Sequence, residues 1–147
     1  MGTRSLVRFY STEHGEDNEQ EALLVTIYQQ YDGYPDGVGL QLARWLERYT
    51  VGNGIPMDPP VPFANGPGCL AAQYIAEHKR QPGGFYIDNG KYDQEFNYEV
   101  RVSWNGGPVT ITMKADSDYA PDLAEPMSPQ EAIKAFTNWT YDYDEDE

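Results

Sequence analysis

Near the start of the chain, apolar side chains fall at every second position. Val7 and Phe9 share one face of Arg4 to Tyr10. Leu23, Val25 and Ile27 share one face of Ala22 to Gln30, with Leu24, Thr26 and Tyr28 on the other. A period of two is that of a strand. The two segments predict a hairpin whose long connection is the acidic stretch Ser11 to Glu21. The alternation returns at Phe96, Tyr98, Val100, Val102 and Trp104, with Asn97, Glu99, Arg101 and Ser103 between them. A turn at Asn105-Gly106-Gly107 follows. Val109, Ile111 and Met113 then alternate with Thr110, Thr112 and Lys114, which predicts a second hairpin. Phe85 to Ile87 adds a short strand before the turn Asp88-Asn89-Gly90.

Elsewhere the apolar period is helical. Val38, Leu42, Trp45, Leu46 and Tyr49 predict an amphipathic helix of about three turns. Ala71, Tyr74, Ile75 and His78 form one stripe of a second helix, Cys69 to Lys79, which Pro82-Gly83-Gly84 ends. Ser128-Pro129-Gln130-Glu131 is a capping box with proline at the first helical position. Ile133, Phe136 and Trp139 or Thr140 then give a third stripe. Val51 to Gly68 is rich in Gly and Pro and reads as an extended loop, longer than most connections. The expected architecture is α+β in two layers: about five mostly antiparallel strands, with three helices covering one face. Residues 1–141 read as a single domain and residues 142–147 as a loose acidic tail.

Charge narrows the partners. The chain carries 24 acidic and 10 basic residues, a net charge of -14. Such a chain is repelled by nucleic-acid backbones and anionic membranes, so no direct nucleic-acid binding and no membrane association are expected. The acidity serves solubility, or it mimics a polyanion toward a basic protein partner. Clusters at Glu13 to Glu21 and Asp142 to Glu147 resemble a loop and a tail rather than a helical stripe of carboxylates at phosphate spacing. A single cysteine, Cys69, permits no internal disulfide, which points to the cytoplasm. No apolar run reaches membrane-spanning length, and no charged-then-apolar leader opens the sequence.

Four blocks carry a resemblance. They are the opening Met-Gly-Thr-Arg, then Tyr28-Gln29-Gln30-Tyr31-Asp32-Gly33-Tyr34-Pro35-Asp36-Gly37-Val38-Gly39, then Asn65-Gly66-Pro67-Gly68-Cys69-Leu70-Ala71-Ala72-Gln73, then Gly83-Gly84-Phe85-Tyr86-Ile87. Together they resemble a family of small uncharacterised proteins from phage, bacterial and some fungal sequences. The resemblance implies a cytosolic, phage-encoded setting, which would be the host cytoplasm. It implies no activity and no catalytic residues.

Three constellations carry chemistry. The first is the glycine-rich turn from Asp32 through Gly33, Gly37 and Gly39, which leads from a strand into a helix. Helix N-termini offer free N–H groups, and glycines let the backbone wrap an anion. Tight-turn chemistry alone also explains the composition, and neither a Walker loop nor a dinucleotide fingerprint is present. Tyr28, Tyr31 and Tyr34 flank the turn and could stack on a base. Arg4 stands at the end of the neighbouring strand, either as a phosphate donor or bridged to Asp32.

The second is Cys69 at a helix start, where the dipole favours a thiolate. The two available histidines, His14 in the acidic loop and His78 on the apolar stripe, are poorly placed to activate it, so a buried cysteine is expected. The third is metal binding. The histidine and cysteine spacing fits no zinc site, and Asp142, Asp144 and Asp146 lack a calcium loop's glycine and closing glutamate.

These observations favour a non-catalytic binding protein for a small anionic ligand, a nucleotide or cyclic nucleotide signal. In a phage that would make it a counter-defence sponge. Its ligand-binding residues would be Arg4, Tyr31, Asp32, Gly33, Tyr34, Gly37 and Gly39, with no cofactor, no metal and no catalytic residue. The alternatives are an acidic protein-interaction module acting on a basic partner, and a small hydrolase using Cys69 or a carboxylate. A protein partner and a homo-oligomer are both compatible with the chain.

Overall fold

Two antiparallel hairpins, laid side by side, make most of the sheet. The computed structural model describes residues 2–12, 21–103, 108–116 and 122–139. In the first hairpin β1 (Ser5–Thr12) pairs with β2 (Glu21–Gln29), with a register shift opposite Leu24. The remaining elements are α1 (Leu40–Arg48), β3 (Thr50–Gly52), β4 (Phe63–Asn65), α2 (Gly66–His78), β5 (Phe85–Asp88), β6 (Phe96–Ser103), β7 (Thr110–Ala115), β8 (Leu123–Met127) and α3 (Pro129–Thr137). In the second hairpin β6 pairs with β7 from Phe96↔Ala115 to Arg101↔Thr110. The main sheet runs β5-β2-β1-β6-β7-β8. β1 and β6 run parallel, from Ser5↔Phe96 to Thr12↔Ser103, while the other main-sheet pairings are antiparallel.

The α+β class holds, with a sheet of six strands rather than five. β8 escapes the periodicity because Leu123-Ala-Glu-Pro-Met does not alternate. Its proline is tolerated because β8 lies at the sheet edge, where a missing N–H costs no ladder bond. The stretch from Val51 to Gly68 is likewise not all loop. It holds the short parallel pair β3–β4 and the first turn of α2, which starts at Gly66 with Pro67 at a position that needs no N–H partner. The turn at 105–107, the interior of the acidic loop with His14, and the tail at 142–147 lie outside the described residues.

One face of the sheet carries the helices. Val7, Phe9, Ile27, Tyr98, Val100 and Ile111 meet Leu42, Leu46, Leu70, Tyr74 and Phe136 in a continuous core. Leu42, Trp45 and Leu46 of α1 are essentially fully buried, and each such side chain contributes about 1.5–3 kcal/mol. The other face is partly covered by residues 89–95, which join β5 to β6. Arg8, on that face, donates to the Gly90 carbonyl at 3.2 Å and pairs with Asp93 at 3.0 Å. Ser128 caps α3 by accepting from the Glu131 amide, and Glu131 answers at the Ser128 amide, as the sequence pattern requires.

Candidate functional site

The glycine-rich turn is built from its own hydrogen bonds. Asp32 takes a left-handed conformation with φ 58°, and residues Pro35–Gly39 wind into a single π-helical turn ahead of α1. The Gly37 amide donates to the Tyr34 carbonyl at 2.8 Å and the Val38 amide to the Asp32 carbonyl at 2.8 Å. The amides of Gly39 and Leu40 turn back to Tyr34 and Pro35, and that of Gly33 reaches Thr3 at 3.0 Å. A Cβ on Gly37 would stand 2.2 Å from the Asp32 carbonyl oxygen, and one on Gly39 would stand 2.8 Å from the Tyr98 ring. The glycines therefore let the chain pack on itself. The amides that a phosphate cradle would need are taken by carbonyls a few residues away.

Side chains around the turn are arranged differently. Tyr34 donates its hydroxyl to the Asp32 carboxylate at 3.0 Å, and Tyr98 donates to the Gly33 carbonyl at 2.6 Å, fastening the turn to the centre of the sheet. Tyr28 faces away and packs on Tyr86. Arg4 and Tyr31 are both exposed, Tyr31 by 60 %, and line a cleft of about 510 Å³ with Gly2, Gln30 and Asp32. Arg4 and Asp32 form no ion pair. The Arg4 amide donates to Glu95, and its guanidinium makes no hydrogen bond or ion pair with a described residue. Of the sequence-derived set, the structure thus brings Arg4, Tyr31 and Asp32 to one cleft and leaves Gly33, Tyr34, Gly37 and Gly39 as the framework beside it.

Cys69 is exposed on the first turn of α2, a correction to the buried position expected from its type. The stripe that faces the core is Leu70, Ala71 and Tyr74, one step round the helix. His78 lies nine residues further along α2 and stacks on Tyr74, so it does not serve the thiol.

A larger recess lies on the outer side of α1. Gln41, Arg44 and Arg48 recur at helical spacing along its polar face, and the end of α2 brings His78 and Arg80 against them. The recess measures about 610 Å³ on the Arg44 side and continues past Arg48 to Arg80. Arg8 and Arg101 are held by carboxylates elsewhere. By contrast, Arg44, Arg48 and Arg80 make no ion pair or hydrogen bond with any described residue. In a chain of net charge -14, Arg48 thus shares one part of the recess with Arg44 and the adjoining part with Arg80.

The floor of this recess is rigid. Trp45 is 3 % exposed, its ring edge meets Tyr74 and His78, and its indole N–H donates to Glu77 Oε1 at 2.8 Å. The Tyr49 hydroxyl takes the other Glu77 oxygen. These two donors, the Tyr49 hydroxyl first, hold the Glu77 carboxyl below its ordinary range, so it is ionised but already satisfied. His78 Nδ1 lies 2.7 Å from the Tyr74 carbonyl. A carbonyl only accepts, so Nδ1 carries the proton, and in the neutral ring Nε2 is the atom with a free lone pair. Burial holds the His78 pKa down, and the charges of Arg80 and Arg48 add to the effect. Sequence reasoning missed this recess. Its one sequence signal is three polar positions at 41, 44 and 48 on the same helical face, two of them arginine.

No family model, curated protein or solved structure matches the chain. No helix among the described residues is long and apolar enough to cross a membrane.

Proposed function

We propose that this protein is a non-catalytic binder of a small anionic ligand, taken up in the recess between α1 and the end of α2. The observation that carries the reading is that Arg44, Arg48 and Arg80 line adjoining parts of one recess and none forms an ion pair with a described carboxylate. Like charges held together cost free energy unless a counter-charge joins them. An arginine also offers a planar fork of donors that matches a phosphate or carboxylate. Calorimetric titration of inorganic phosphate, pyrophosphate and AMP tests it. Arg48→Ala is expected to weaken binding by about 1.5–3 kcal/mol, the worth of a charge-assisted contact. Its melting temperature should stay near that of wild type, because Arg48 is exposed. Failure of all three anions to bind wild type at about millimolar concentration, an affinity of roughly 4 kcal/mol, removes the reading.

A second reading keeps the nucleotide at the Arg4 cleft. The observation in its favour is the exposed Tyr31 ring beside the unpaired Arg4 guanidinium, a base shelf next to a phosphate donor. Arg4→Ala separates the two: it should abolish AMP binding if the cleft is used, and leave it unchanged if the α1 recess is used.

A further inference from the structure

The α1 recess is not uniformly cationic, and the placement of its carboxylates restricts the ligand. Asp36 borders it in the Pro35–Gly39 turn ahead of α1, and Glu47 borders it near the end of α1. Neither forms an ion pair with a described residue; Glu47 accepts one hydrogen bond, from the Gln130 side-chain amide at 3.5 Å. A ligand that was anionic throughout would be repelled at both margins. One that was wholly neutral would leave the arginines unmatched. Ionised carboxylates accept hydrogen bonds and do not donate them, so a group resting on Asp36 or Glu47 must itself be a donor.

Of the aromatic rings lining the recess, only His78 is partly open. Trp45 is 3 % exposed and Tyr74 is fully buried, and His78 gives one ring face to Tyr74 and meets the edge of Trp45. Tyr49 is tied to Glu77. No tryptophan or tyrosine face is therefore open for a nucleobase to stack on, and the selectivity of the recess rests on its charged and polar side chains. Gln41, which both donates and accepts, lines both parts of the recess.

Resting on the anion-binding reading above, we infer that the ligand is the phosphate monoester of a polyol, a sugar phosphate in chemical class. Its phosphate lies among Arg44, Arg48, Arg80 and His78, and its hydroxyls donate to Asp36 or Glu47. The arginines supply the attraction, and the marginal carboxylates sort a hydroxyl-bearing ester from a free polyanion.

The experiment compares inorganic phosphate, ribose 5-phosphate, ribose and AMP on the full chain by calorimetry, with Asp36→Ala and Glu47→Ala beside wild type. Both positions are exposed, so folding is checked by circular dichroism and a thermal melt rather than assumed. In wild type, ribose 5-phosphate should bind about tenfold tighter than phosphate, the gain of one or two hydrogen bonds, and ribose should not bind. In at least one of the two variants that ratio should fall to about one, while phosphate itself binds as well or better because a repelling charge has gone. If phosphate binds but the sugar adds nothing, or if the advantage survives in both variants, the sugar-phosphate inference is overturned and the anion site stands. AMP binding more tightly than ribose 5-phosphate also overturns it, because base recognition would then contribute. If phosphate does not bind at all, the failure belongs to the anion-binding reading itself.

Discussion

The entrance to α1 and its outer face follow one another along the chain, yet they treat hydrogen-bond donors in opposite ways. At the entrance, the amides of Gly37, Val38 and Gly39 are all turned onto carbonyls of the same turn. On the outer face, Arg44 and Arg48 point into a recess with no described partner. Backbone donors must be satisfied wherever the chain is buried, and Val38 and Gly39 are buried. A guanidinium on a long exposed stem escapes that requirement. A glycine-rich turn before a helix therefore marks close packing here, while the donors left for a ligand are carried by side chains.

Gly37→Val breaks the first half of this comparison most severely. The new side chain must displace the Asp32 carbonyl that receives Val38, and overpacking plus a lost turn is expected to cost about 3 kcal/mol or more. Urea denaturation measures it. A loss below about 1 kcal/mol would show that the turn is not the rigid latch described. Tyr98→Phe acts on the same latch more gently. It removes the buried donor to the Gly33 carbonyl, and a loss of about 1–3 kcal/mol is expected from the unsatisfied acceptor. Tyr98→Phe should leave phosphate affinity unchanged in the fraction that remains folded, because Tyr98 lies outside the recess, whereas Gly37 lines it and Gly37→Val is read for stability alone.

The second half of the comparison is sharpened by pH. Burial holds the His78 pKa below its ordinary value of 6.5. Between its folded value and 6.5 the unfolded chain binds a proton that the folded one does not, so the His78 share of stability is present above 6.5 and is lost as pH falls. An anion beside Nε2 favours the imidazolium and draws that proton into the folded state. Sulfate keeps its charge between about pH 8 and pH 5.5, so its affinity should rise as pH falls across that range, by about tenfold for each unit by which binding raises the His78 pKa. The slope should vanish in His78→Gln. An equal slope in the variant would assign the effect to the titration of the whole acidic surface instead.

Periodicity made the two hairpins and all three helices legible, because each has a face that must meet the core: Val7 and Phe9, Val100 and Val102, Leu42 and Leu46. It missed β8, which has no alternating face, and β3–β4, where three residues per strand are too few to show a period. Glycine content drew the eye to residues 32–39. That region matters, but its role in packing depends on Tyr98, which joins it from far along the sequence. The arginine recess was hidden for a related reason. On α1 alone, Arg44 and Arg48 look like an ordinary solvated face, and only the tertiary meeting with His78 and Arg80 gives them a common target. The exposure of Cys69 followed from a single step of helical phase, with Leu70 rather than Cys69 facing the core.

The parallel seam between β1 and β6 has a kinetic consequence. Each flanking hairpin can close from contacts between near neighbours in sequence, within microseconds for an isolated hairpin, on the order of 1–10 μs. The seam cannot, since Ser5 finds Phe96 only after most of the chain between them has been drawn into a loop. Loop closure precedes the reward of those contacts, so formation of the seam is expected to limit the folding rate. Val7 and Val100 flank that seam on the core face, and shortening either one should slow refolding more than loosening a hairpin turn does.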